Sequence, residues 1–238
     1  MSEKPYRYDD HTINSSCIIA RFSHRNRINK CLKLVLNHYR VNEQAKKINI
    51  LDYGCGTGIF ISRLNKLIPD VAIGYEPIMN QKHEAMLPIY NNLDIISNFA
   101  PFNIITIFEV LEHLQWVEIN NILSRCRELL TSNGVILISV PIEIGPVVIF
   151  KEFNRYRRTK KWNYGFVELI KTFFLGTKGL RENPESSFMS HKGFDFRELI
   201  LFLKEKNWII EKIDYGPIPI KSWYGNSQVY LSMFNKTL

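Results

Sequence analysis

The chain has 238 residues, 45% of them hydrophobic and 23% charged, the composition of a folded domain with a substantial core, not of a disordered polymer. A net charge of +8 and a pI of about 9.3 favour anionic partners (nucleic acid, a nucleotide- or lipid-linked substrate, a membrane surface) without choosing among them. Cys17, Cys31, Cys55 and Cys126 lack paired spacing, the polar start has no signal-peptide core, and Pro141, Glu143, Gly145 and Pro146 interrupt the longest apolar stretch; these features argue against a disulfide framework, a zinc knuckle and a spanning helix, and predict a cytoplasmic protein.

Residues 1–20 read as a polar arm. From Arg21 to Tyr39, Ile28, Cys31, Leu32, Val35 and Leu36 fall at helical intervals, with Arg21, Arg25, Arg27, Lys30 and Lys33 on the other side. Two readings stand: a packed helix with a solvated basic face, or one wall of a substrate pocket with Arg25 or Arg27 meeting an anion. Either makes 1–45 an N-terminal helical cap.

Ile48 to Tyr53 is an apolar strand that runs into Gly54-Cys55-Gly56-Thr57-Gly58, and apolar residues at helical spacing continue to Leu67, before Pro69. Strand, tight turn and helix follow in order. Glycines let the backbone approach a ligand closely, and the helix start supplies N–H groups and a positive dipole end. The dinucleotide fingerprint needs glycine at 59, where this chain has Ile59. Asp52, two residues before the first glycine, would repel a pyrophosphate but suits a cationic amino-acid end. A second strand, 71–75, ends at Glu76-Pro77, roughly 20 residues past Gly54, where a ribose-binding acid is expected. Residues 78–86 read as a short helix and Asp94–Ser97 as a weak third strand. Adenine contacts are expected near Ser97-Asn98-Phe99, with no firm residue.

Phe102 to Phe108 is an apolar strand followed at once by Glu109-Val110-Leu111-Glu112-His113. Ligands of open parallel sheets sit beyond the carboxyl ends of strands, so this cluster should border the cofactor. A helix over 119–130 places Ile119, Ile122, Leu123, Cys126 and Leu130 inward. Gly134 is the expected left-handed cap, and Val135 to Pro141 a fully buried strand. Residues 142–190 are read as an inserted lid and acceptor-binding segment. Within it, 151–162 is basic with interleaved aromatics, which suits a solvated lid, a membrane surface or lipid-linked acceptor, or nucleic acid. Phe166 to Leu175 form another helix. Ser190-His191-Lys192-Gly193-Phe194-Asp195 enters a helix to Lys206, and strands at 208–213 and 228–234 close the chain.

The D-x-G-x-G-x-G turn with Glu76 resembles motifs I and II of the class I S-adenosylmethionine (SAM) methyltransferases. Glu109-Val110-Leu111-Glu112-His113 resembles motif IV of a subgroup that includes ubiquinone-pathway O-methyltransferases and bacterial glycan enzymes. The helix, Asn-Gly, strand and Val-Pro unit resembles the family's fifth-strand unit, and the His191 segment a feature of bacterial methyltransferases of cell-surface sugar synthesis. The resemblance implies a single α/β domain over 1–238, a Rossmann-like three-layer sandwich whose seven-stranded, mostly parallel sheet has an antiparallel last strand. It implies SAM held by Asp52, Gly54, Cys55, Gly56, Gly58, Glu76, Pro77, Phe108 and Glu109. His113 has three readings: general base or acceptor contact, metal ligand with Glu109 and Glu112, or structural hydrogen-bonder. His113, Glu112 and His191 are the catalytic candidates, and no residue is assigned as a metal ligand. Deprotonation of an oxygen acceptor needs a base or metal, so these residues favour O-methylation of a small molecule such as a sugar or lipid-linked precursor. An RNA methyltransferase and a non-catalytic SAM-binding scaffold are the alternatives.

Overall fold

The structure is a computed structural model, and it describes residues 18–41, 49–78, 87–180 and 191–235. The elements in chain order are α1 (Ile18–Val41), β1 (Ile50–Tyr53), α2 (Ile59–Leu67), β2 (Ala72–Tyr75), β3 (Ile89–Tyr90), α3 (Leu93–Ser97) and β4 (Phe102–Phe108). After a 3-10 turn at Leu111–His113 come α4 (Trp116–Leu129), β5 (Leu130–Pro141), α5 (Val147–Thr159), α6 (Phe166–Leu175), α7 (Phe196–Glu205), β6 (Trp208–Gly216) and β7 (Gln228–Asn235). The strands form a seven-stranded sheet in the order β3-β2-β1-β4-β5-β7-β6. It is parallel at the first three strands and antiparallel on both sides of β7, the Rossmann-like arrangement expected. The chain divides into two compact units, 1–106 and 107–238.

In the first unit β1 pairs in parallel with both β2 and β4, and all four of its residues are buried, as a central parallel strand requires. Helix α1 buries Cys31, Leu34 and Val35 and exposes Arg25, Asn29, Lys33 and Asn37, a solvated polar ridge at four-residue spacing. Leu34 lies inward where Leu32 and Leu36 were expected, because the buried stripe is turned by one position.

The strand expected at Asp94–Ser97 is instead the helix α3. The Asn92 side chain accepts from the Asp94 N–H at 2.7 Å and caps it, an interaction that local apolar character does not reveal. The third strand is Ile89–Tyr90, two residues that pair with Gly74 and Tyr75 of β2. Its length is below what alternation can signal. Ser97-Asn98-Phe99, expected at a strand's end, therefore lies on and after a helix. The Phe99 ring sits 5.4 Å from that of Tyr90. Most of the helix expected at 78–86, all but the last three residues of the arm expected over 1–20 and the far end of the N-terminal cap lie outside the described residues, and those three residues belong to α1.

In the second unit β7 lies between β5 and β6, with Ile138 and Ile213 both opposite Leu231. Gly134 is not a left-handed cap. Helix α4 ends at Leu129 and the chain passes directly into the extended β5. A Cβ at Gly134 would lie 2.5 Å from the Leu130 side chain, so glycine serves close approach rather than positive φ. The start of α4 is set by Gln115, whose N–H donates to Glu118 at 2.7 Å.

Candidate functional site

The first unit carries the glycine turn. Gly54, Gly56 and Gly58 all have left-handed φ angles, 76°, 53° and 78°. The Gly54 and Cys55 N–H groups donate to the Tyr75 carbonyl at 2.8 and 3.1 Å, which ties the turn to the end of β2. Gly58 begins α2, and a Cβ there would lie 2.5 Å from Ile89 and 2.7 Å from Leu87, whereas space beside Gly56 is open. The turn is thus packed on one side and clear on the other, which admits a ligand against its backbone. Cys55 lies against Gly74, where a Cβ would meet its sulfur at 2.5 Å. Burial, then Asp52 and Glu76, push its thiol pKa up, so it is no nucleophile.

Two carboxylates flank the turn. Glu76 accepts from the Gly56 N–H at 2.8 Å and the Ile78 N–H at 3.1 Å, and Pro77 beside it is exposed. Asp52 is buried, and the Thr106 hydroxyl donates to its Oδ1 at 2.7 Å. Burial pushes the Asp52 pKa up to about 7; the Thr106 hydrogen bond opposes the shift and the Glu76 charge adds to it. A cationic group brought beside Asp52 would reverse that shift, since it favours the ionised form.

In the second unit, Phe108 ends β4 and Glu109 follows it, both half-buried. Glu109 has φ 58°, stands outside the 3-10 turn and donates its N–H to the Ser139 carbonyl at 2.9 Å. Its carboxylate accepts from the Ser139 hydroxyl at 3.0 Å and from the Gln228 side-chain amide at 3.2 Å. Glu109 thus stands off the turn that carries Glu112 and His113, because its positive φ directs the chain away from a regular helix.

Glu112 and His113 do sit together on the turn, and His191 joins them. The buried Glu112 Oε1 lies 3.9 Å from His113 Nε2 and 3.8 Å from His191 Nδ1. The two imidazoles are 4.7 Å apart between ring centroids. Burial lowers the His191 pKa to about 4; nearby Glu143 works against that, and His113 works with it. His191 is therefore neutral at physiological pH, with a lone pair that can accept a hydrogen bond or ligate a metal while holding a proton only weakly. Burial opposes ionisation of Glu143, but Lys151, His191 and Arg155 outweigh it and hold its pKa below the usual range. Lys151 donates to Glu143 Oε1 and to the Ile142 carbonyl, each at 2.8 Å.

One donor atom from each of Glu112, His113 and His191 can be chosen so that all lie within 4.8 Å of one another. A divalent ion with bonds of about 2.1 Å sets neighbouring donors about 3.0–3.4 Å apart, so small side-chain shifts would complete the geometry. The three residues fit a metal; Glu109, committed to Ser139 and Gln228, does not join them.

Sequence reasoning passed over Thr106, Ser139, Gln228, Glu143 and Lys151. Thr106 and Ser139 carried a usable signal, each being a polar residue with apolar neighbours on both sides in its strand. Glu143 stands just past the carboxyl end of β5, also a recognisable position. Gln228 has no local signature, because only the pairing of β7 brings it to Glu109.

Residues 23–178 match the family described as Methyltransferase domain. The mitochondrial ubiquinone biosynthesis O-methyltransferase of Schizosaccharomyces pombe is 28% identical over 184 residues, covering 71% of this chain. The match spans 59% of that relative's length. Among solved structures, the plantazolicin methyltransferase in complex with SAH aligns with a TM-score of 0.56 and 11% identity, covering 89% of this chain and 86% of that one. The magnesium protoporphyrin IX methyltransferase from Synechocystis PCC 6803, with bound SAH, aligns with a TM-score of 0.54 and 10% identity, covering 93% of this chain and 89% of that one. At such identities these likenesses speak for the fold.

Proposed function

The chain belongs to the methyltransferase-domain family, and from that premise we propose that it carries the methyl group of SAM to a hydroxyl oxygen of a small-molecule acceptor, a sugar or a lipid-linked precursor. The observation that carries the choice of oxygen is the meeting of Glu112, His113 and His191 in one cluster with a neutral His191. A nitrogen acceptor already presents a lone pair, whereas a hydroxyl must shed its proton as the new bond forms. The O-methyltransferase named among the relatives supports the same atom.

Roles divide along the chain. Asp52 faces the cationic amino-acid end of SAM, Glu76 the ribose hydroxyls, and the backbone at Gly54, Gly56 and Gly58 lets the nucleoside come close. Glu109 belongs with the cofactor contacts, its carboxylate aimed by Ser139 and Gln228. His113 takes the acceptor proton, the neutral His191 accepts a hydrogen bond from the acceptor, and Glu112 lies against both rings and stabilises the imidazolium that forms. Glu112, His113 and His191 would also hold a divalent ion, which when bound lowers the pKa of the acceptor hydroxyl as a Lewis acid. Most of the rate comes from holding donor and acceptor in line and excluding water.

The test is turnover. The protein is incubated with isotope-labelled SAM and small-molecule or glycan extracts, and mass spectrometry searches for products heavier by one methyl group. The expected product is a methyl ether. Methylation confined to RNA, or SAM binding without any transfer, would overturn the proposal.

A further inference from the structure

Helices α5 and α6 of the second unit pack together and are both turned inside out. On α5 the inward positions are Val148, Glu152 and Arg155. Glu152 is fully buried, pairs with Arg155, and accepts from the Asn163 N–H at 2.9 Å. The outward positions are Phe150, Phe153 and Tyr156, with Phe150 70% exposed. On α6 the buried position is Thr172, whereas Phe166 and Phe174 are 79% and 70% exposed. A helix packed on a core does the reverse. Single exposed apolar residues are ordinary, but large rings along two adjoining helices form an interaction surface.

The charges on this stretch are one-sided. Arg157, Lys160, Lys161 and Lys171 are exposed. The only acids within 147–175, Glu152 and Glu168, are turned to other partners. Glu168 pairs with Lys192 at 3.0 Å and accepts from the Leu180 N–H at 2.7 Å. Tyr156 and Trp162 stack at 4.9 Å with Lys160 over the Tyr156 ring, an aromatic and cationic pairing suited to a boundary between oil and anions. Among the described residues no helix is long and apolar enough to cross a membrane.

We infer that the α5–α6 face docks on an anionic phospholipid surface, its rings at the acyl boundary and its lysines and arginine among the headgroups. A second copy of the chain would set this cationic face against itself in a two-fold contact. A nucleic acid would leave Val167, Ile170 and Leu175 without apolar partners. The inference stands apart from the assignment of the acceptor, and its test involves no methyl transfer.

The full chain is floated with vesicles of phosphatidylcholine alone and of phosphatidylcholine with phosphatidylglycerol. Binding is expected to the anionic vesicles and to weaken as salt rises. Phe166→Glu and Phe174→Glu should each reduce partitioning about tenfold, the scale of withdrawing much of one phenylalanine from an apolar phase. Lys160→Glu with Lys161→Glu should reduce it further while leaving the rings intact. Unchanged circular dichroism and unchanged calorimetric affinity for S-adenosylhomocysteine establish that each variant is folded. The inference fails if the anionic vesicles do not bind the chain, or if the folded variants bind as well as the parent. It also fails if light scattering shows a dimer that Phe166→Glu dissociates, since a second copy then covers the face.

Discussion

Thr106→Val separates the two influences that act on Asp52. Thr106 is fully buried, and its hydroxyl donates to Asp52 Oδ1 at 2.7 Å. Valine keeps the shape and leaves no cavity, so the change removes one hydrogen bond to a buried carboxyl. Where Asp52 is ionised the loss is about 1.5–3 kcal/mol, the range for hydrogen bonds to charged groups. For a chain of 238 residues that lowers Tm by about 3–12 °C. The sign of the pH dependence follows from the raised pKa. Asp52 has an ordinary value of 3.8 and is pushed up to about 7, so the folded chain keeps a proton that the unfolded chain has released. Its contribution is full below pH 3.8 and is lost as pH rises through 7. Removing Thr106 takes away an influence that lowers the pKa, so the variant's window extends above that of the parent. SAM and S-adenosylhomocysteine each bring an ammonium group that favours ionised Asp52, so affinity should climb as pH passes 7, and in Thr106→Val the climb should shift to higher pH. Urea denaturation and calorimetry with S-adenosylhomocysteine across about pH 5–9 measure both effects. Equal stability at the alkaline end with an unshifted affinity profile would refute the reasoning.

Three further outcomes are expected. Glu76→Ala should weaken S-adenosylhomocysteine binding by about tenfold or more, the scale of a charge-assisted hydrogen bond, and isothermal calorimetry reads it directly. Gly58→Ala, at φ 78° with a Cβ only 2.5 Å from Ile89, should cost about 1–3 kcal/mol in chemical denaturation, while Gly56→Ala, with open space beside it, should cost less. His113→Ala and His191→Ala should each lower kcat by roughly 100-fold with little change in nucleoside affinity. If the cluster holds a metal, the same variants should also weaken binding of added zinc by about tenfold or more; full activity in both would return the histidines to a structural role.

The local signals in this chain were strong wherever one element decides its own conformation. The turn after β1 was legible because three closely spaced glycines take positive φ together, and β4 because a mostly apolar run, interrupted only by Asn103 and Thr106, means a largely buried strand. The seven-stranded, mostly parallel sheet with an antiparallel last strand followed from resemblance, while the order of its strands came from the structure. The signals failed at β3, which is only two residues long, and at α3, where the Asn92 cap overrode an apolar run. They failed again at Gly134, where packing against Leu130 replaced a turn.

The site shows the same division. Asp52, Glu76 and the glycines lie at two adjoining strand ends, and their spacing together with the family resemblance marked them as candidate nucleoside contacts. The chain order by itself also marked Glu112 and His113 as a pair. Only tertiary structure withdrew Glu109 from them, through Ser139 and Gln228, and brought in His191 from far along the chain. Only the packed fold could show α5 and α6 presenting rings outward and an ion pair inward. Periodicity reports which residues share a face of a helix, but what lies against that face depends on segments distant in sequence, whose contacts no local pattern encodes.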